Sequence, residues 1–176
     1  MYARGDGGTD LYLEWNRVEG ADGYKVYIYT GAPGEEGYTE TLKGTTSENR
    51  FVFTDLIPAW EYSVKVTAYN EYGDASSNTR VCAAPLPVEN VTATANGNTI
   101  TAKWDVQASH GYYIQWSTDK DFQQDVNGAF ITGSGATSYA IGADSNETYY
   151  VRVRAWKWYQ GARLYGDFTQ PVMVPD

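Results

Sequence analysis

The chain has 176 residues, 42% of them hydrophobic and 20% charged, a composition that folds rather than one that stays disordered. Thirteen Lys and Arg against 22 Asp and Glu leave a net charge of −9, which argues against nucleic acid held through its phosphates and against an anionic membrane surface. One cysteine and one histidine leave no material for an intrachain disulfide or a Cys- or His-based metal site, so no cofactor or metal is expected; no apolar run approaches the ~18 residues of a membrane span.

Sixteen Tyr, six Trp, 18 Gly and six Pro are the composition of an all-β chain, with pleated half-buried surfaces and many turns. In chain order, residues 1–10 alternate little, so a first strand is expected to be short or missing. Residues 11–15 and 24–29 alternate apolar with polar, as do 51–53 and the long run 62–69. Gly, Asn, Asp and Pro clusters at 19–23, 31–34 and 70–74 separate them. No stretch carries a capped helical stripe.

The pattern then repeats. Ile100, Ala102 and Trp104 echo Leu11, Leu13 and Trp15, while Tyr112 and Ile114 echo Tyr24 and Val26. Tyr149, Val151, Val153 and Ala155 echo Tyr62, Val64, Val66 and Ala68. From Trp15 to Trp104, Tyr24 to Tyr112 and Tyr62 to Tyr149 the offset stays within 87–89 residues, as loop-length variation between two copies of one unit requires. The boundary falls in Ala83-Ala84-Pro85-Leu86-Pro87, whose prolines cannot donate to a ladder. The expected domains are residues 1–84 and 85–176, cut from a longer multidomain chain.

These residues resemble a tandem of fibronectin type III domains. Leu11, Leu13 and Trp15 fit the family's strand B, and Tyr24, Val26 and Ile28 its strand C. Tyr62-x-Val64-x-Val66-x-Ala68 fits strand F, with Leu56 ahead of the tyrosine corner; the second copy matches at the equivalent strand positions but has Ala143 where the leucine is expected. The resemblance implies two immunoglobulin-like β-sandwiches in series, each burying its Trp at the centre. It also implies a non-enzymatic, extracellular, monomeric spacer and interaction scaffold beside flanking domains of a larger protein. The second copy is similar to repeats of secreted bacterial surface proteins and glycan-active enzymes.

Two candidate surfaces follow from the alternation. Tyr27, Tyr29 and Tyr69 face outward on strands C and F of the first copy, as do Tyr113 and Trp156 with Arg152 and Arg154 in the second, where arginine planes are expected on Tyr113 or Trp156. The long F–G segment 157–166 carries Trp158, Tyr159, Gln160, Arg163 and Tyr165. Aromatic faces there suit sugar C–H surfaces and fork-like donors suit hydroxyls, so a polysaccharide ligand requires Trp158, Tyr159 and Tyr165 to be exposed and coplanar. A protein ligand docking on Tyr27 and Tyr69, as in an adhesin, is the other alternative; ordinary cross-strand stacking explains the same residues without any ligand. Arg4-Gly5-Asp6 reads as a chance tripeptide, Asp119, Asp121 and Asp125 as a solvated turn, and His110 as a solvated loop residue. Asn90-Val91-Thr92 and Asn146-Glu147-Thr148 are glycosylation acceptors only on a eukaryotic secretory route. Cys82 reads as a small core filler.

Overall fold

The computed structural model describes residues 2–5, 10–54 and 56–174, so Asp6 of the Arg-Gly-Asp tripeptide lies outside the described residues. The chain divides into two compact units, Met1–Ala83 and Ala84–Asp176. Strands are the only regular elements among the described residues, and no helix is long and apolar enough to cross a membrane.

The described residues of the first unit form β1 (Tyr2–Gly5), β2 (Leu11–Glu14), β3 (Gly23–Thr30), β4 (Thr39–Thr46), β5 (Arg50–Phe53), β6 (Glu61–Asn70) and β7 (Gly73–Cys82). They form antiparallel sheets of order β1-β2-β5 and β4-β3-β6-β7. The short first strand is present, although its sequence does not alternate: backbone pairing of Tyr2–Gly5 along β2 holds it, and that needs no apolar face. Between the sheets lie Leu11, Leu13, Val26, Phe53, Val64, Val66 and Val81, the inward positions of their strands. Cys82, at the end of β7, is 3% exposed and is the only cysteine in the chain.

The second unit repeats this plan with β8 (Thr92–Asn96), β9 (Thr99–Lys103), β10 (Gly111–Ser117), β11 (Asn127–Thr132), β12 (Ser138–Gly142), β13 (Tyr150–Tyr159), β14 (Ala162–Tyr165) and β15 (Val172–Met173). One sheet runs β12-β9-β8 and the other β11-β10-β13-β14, with β15 also on β13. The last strand is therefore broken in two. Between its halves Gly166 and Thr169 still donate to the carbonyls of Ala155 and Val153, and Phe168 is carried onto the outer face of the sheet.

Equivalent residues do equivalent work in the two cores. Trp15 and Trp104 are 8% and 3% exposed and meet Tyr24 and Tyr112 with ring centres 5.1 and 5.4 Å apart. Those tyrosines accept backbone N–H bonds from Val18 (2.9 Å) and Gln107 (2.8 Å), so each places a large ring in the core without stranding its hydroxyl. The indole Nε1 of both tryptophans finds no acceptor among the described residues, a cost that burial of the rings outweighs. At the sheet corners Tyr62 accepts from the Ile57 N–H at 2.6 Å and Tyr149 from Asp144 at 3.3 Å, the tyrosine corner read from the sequence.

Candidate interaction face

On β10 the side chains of Tyr113 and Gln115 point away from the core, because Tyr112 and Ile114 point into it. Antiparallel pairing sets Tyr113 opposite Arg154 and Phe130, and Gln115 opposite Arg152. At the far edge Trp156 stands opposite Tyr165, and Trp158 opposite Arg163. Register alone thus interleaves arginines and rings across the sheet.

The contacts are close. The Arg152 guanidinium carbon lies 4.1 Å from the centre of the Phe122 ring and 4.3 Å from Phe168, while its Nε and Nη2 donate to Gln115 Oε1 at 2.9 and 2.7 Å. Arg154 lies 3.8 Å from Tyr165, 4.3 Å from Phe168 and 5.3 Å from Tyr113. Arg163 lies 4.1 Å from Phe130, 4.9 Å from Trp156 and 5.4 Å from Trp158. Tyr113 and Phe130 stack directly, with centres 4.4 Å apart. Burial lowers the affinity of Arg152 and Arg154 for their protons below the usual guanidinium range, and the Nε of Arg154 is enclosed without an acceptor. Phe122 reaches Arg152 from a backbone position with φ of 55°, which an aromatic residue rarely adopts; its buried ring holds it there.

Several expectations change here. Residues 157–166 are no loop: β13 and β14 continue as a hairpin through the two-residue turn Gln160-Gly161, whose φ values of 48° and 82° both lie in the left-handed region. Gln160 is an exposed turn residue. Trp156 is buried rather than exposed, since its ring lies across Gly111, its Nε1–H donates to the Tyr112 carbonyl at 3.0 Å, and Arg163 covers it. Tyr159 alternates to the opposite face from Trp158, and Tyr165 is half-buried under Arg154, so Trp158, Tyr159 and Tyr165 do not form one plane. The half-exposed rings on this face are Trp158 and Phe130, each 48% exposed, on either side of Arg163. Phe122, Phe130 and Phe168 were not legible as site residues: only the pairing of β11 with β10, and the break between β14 and β15, bring them to the arginines.

His110 is exposed, but it is tied in rather than free, accepting the Trp158 N–H on Nδ1 at 3.0 Å. The Asp119 carboxylate accepts the backbone N–H groups of Asp121, Gln123 and Gln124 and is held below the usual carboxylate range by them. Among the described residues no group of three His, Cys, Asp or Glu could hold a metal ion.

In the first unit Tyr27, Tyr29 and Tyr69 share a sheet face but not a contact with one another. Lys65 Nζ lies 4.6 Å from the Tyr27 ring and Lys25 Nζ 5.0 Å from that of Tyr69, while Tyr29 leans on Tyr38. Glu40 takes Lys65 on both oxygens at 2.5 Å and also the Tyr38 hydroxyl, which holds its carboxyl below the usual range.

Residues 3–81 match the family model described as "Fibronectin type III domain". A two-domain fibronectin type III segment of chicken tenascin is similar in structure, at 15% identity and a TM-score of 0.54, covering 94% of this chain and 91% of that one. The chicken CNTN1 FN1–FN3 domains match at 21% identity and a TM-score of 0.45; 97% of this chain is covered, and it spans 64% of theirs. No curated protein matches the chain. The fold is all-β, two immunoglobulin-like sandwiches in tandem.

Proposed function

From the fibronectin type III match of the first unit, we propose that the chain is a non-catalytic tandem module of a larger extracellular protein, acting as spacer and interaction scaffold. The observation that carries the interaction role is the outer face of β11-β10-β13-β14. Its arginines and rings form a preassembled layer, and at one edge Arg163 stands between two half-exposed rings with no hydrogen bond or ion pair to any described residue. A rigid sheet presenting such groups loses little entropy when a ligand arrives.

A carbohydrate ligand is the favoured occupant of that edge, on a specific ground. Phe130 and Trp158 offer hydrophobic ring surface for sugar C–H groups, and the guanidinium between them offers paired donors. Titration of the pure chain with a panel of soluble polysaccharides, followed by tryptophan fluorescence and affinity electrophoresis, tests the reading. Saturable binding that Trp158→Ala removes, with the polysaccharide recovered intact, is the expected result. Cleavage of the bound polymer would refute the non-catalytic role, and indifference to every glycan would refute the carbohydrate ligand.

A further inference from the structure

We propose that the polysaccharide taken by the second unit is acidic, and that Arg163 anchors its carboxylates; this rests on the carbohydrate reading above and narrows it to uronate-bearing chains. In a protein of net charge −9, strands β10, β11, β13 and β14 contain no Asp or Glu at any position, yet their outward set includes Arg152, Arg154 and Arg163. The face is cationic within an anionic molecule, and the acids elsewhere are screened beyond a Debye length of ~8–10 Å in ordinary salt.

The three guanidinium groups differ in what they can offer. Arg152 already spends Nε and Nη2 on Gln115. It also lies against Phe122, which belongs to the same turn as Asp119, Asp121 and Asp125. Arg154 is half-buried beneath Tyr165, beside Phe168 and its neighbour Asp167. Arg163 is exposed, is flanked by Phe130, Trp156 and Trp158, and bonds to no described residue through any of its donors. Planar paired donors match a planar carboxylate in a two-bond fork. A uronic acid carries that carboxylate on a pyranose ring whose C–H face can lie on Phe130 or Trp158. An acidic peptide carries it on a flexible stem with no such face beside it, so the sugar satisfies more of the site.

The test uses the full chain in affinity electrophoresis and calorimetry against polygalacturonate, a neutral soluble β-glucan, dextran sulfate and poly-glutamate, each at two salt concentrations. Polygalacturonate is expected to bind best and to weaken with salt. Arg163→Gln and Arg163→Lys are both expected to lose roughly tenfold or more in affinity, the lysine because it keeps the charge without the fork. Lys103→Gln, on the other sheet, leaves binding unchanged, and thermal melts of the Arg163 variants establish that they fold. If the neutral glucan binds equally well and Arg163→Gln is silent, the acidic ligand is refuted while the carbohydrate reading stands. If dextran sulfate or poly-glutamate matches polygalacturonate, charge alone is recognised and the uronate is refuted. Binding to no polysaccharide refutes both readings together.

Discussion

The indole of Trp156 lies across Gly111, so near that a Cβ at position 111 would sit 2.8 Å from the ring and 2.2 Å from the carbonyl oxygen of Ile131. The first unit repeats the pairing: Gly23 opens β3 as Gly111 opens β10, and the Tyr69 hydroxyl lies 2.8 Å from where its Cβ would be. In both copies an outward aromatic of the long strand folds over a residue with no side chain, sealing the sheet where a larger residue would prop it open.

Gly111→Ala is therefore expected to destabilise the second unit by about 1–3 kcal/mol, since backbone as well as ring must move. Gly23→Ala should cost less, because the tip of one tyrosine can swing aside. Urea denaturation followed by fluorescence measures both; equal costs would show that the Ile131 carbonyl is not the obstacle.

Tyr62→Phe removes the acceptor of the Ile57 N–H and is expected to cost ~1–2 kcal/mol. Tyr149→Phe should cost less, its bond to Asp144 being longer at 3.3 Å. Amide exchange at Ile57 should accelerate in the first variant ahead of global unfolding.

Each unit carries a carboxylate that the fold holds in its charged form, Glu40 through Lys65 and then Tyr38, Asp119 through the N–H groups of Asp121, Gln123 and Gln124. A folded-state value lower than the unfolded one gives stability that is complete above the ordinary carboxylate range and is lost as pH falls through the folded value. Stability should thus be flat near neutrality and fall below about pH 4. Glu40→Gln should flatten that fall for the first unit and Asp119→Asn for the second, read from urea midpoints across pH. An unchanged slope in either variant would contradict the assignment.

Arg154 tests what the ladder of rings contributes. Arg154→Met keeps a long apolar stem beneath Tyr165 and gives up an enclosed charge, so the lost cation–π attraction and the relieved desolvation largely offset, within about 1 kcal/mol. Arg154→Ala removes the stem as well and should melt several degrees lower. Equal melting points for the two would mean that the stem is not what packs.

The inward half of each strand was legible because period-two alternation is a direct image of burial: Leu11, Leu13 and Val26 lie in one core, and Ile100, Ala102 and Ile114 in the other. The outer face was legible residue by residue but not as a surface. That Tyr113 faces outward follows from Tyr112 facing in; that it stacks on Phe130 follows only from which strand lies beside β10 and in what register. Trp156 shows the limit most clearly, since its parity was right and its exposure wrong, a neighbouring glycine and an arginine having closed over it. Phe168 depends on the break between β14 and β15, a departure from regular pairing that alternation cannot announce.

The lone thiol at the end of β7 gives the tandem a built-in clock. Cys82 is buried at the end of the first unit's last strand, and no second thiol exists to compete for a labelling reagent. The rate at which a thiol probe reacts therefore times the uncovering of one named position on β7, read without adding a label to the chain.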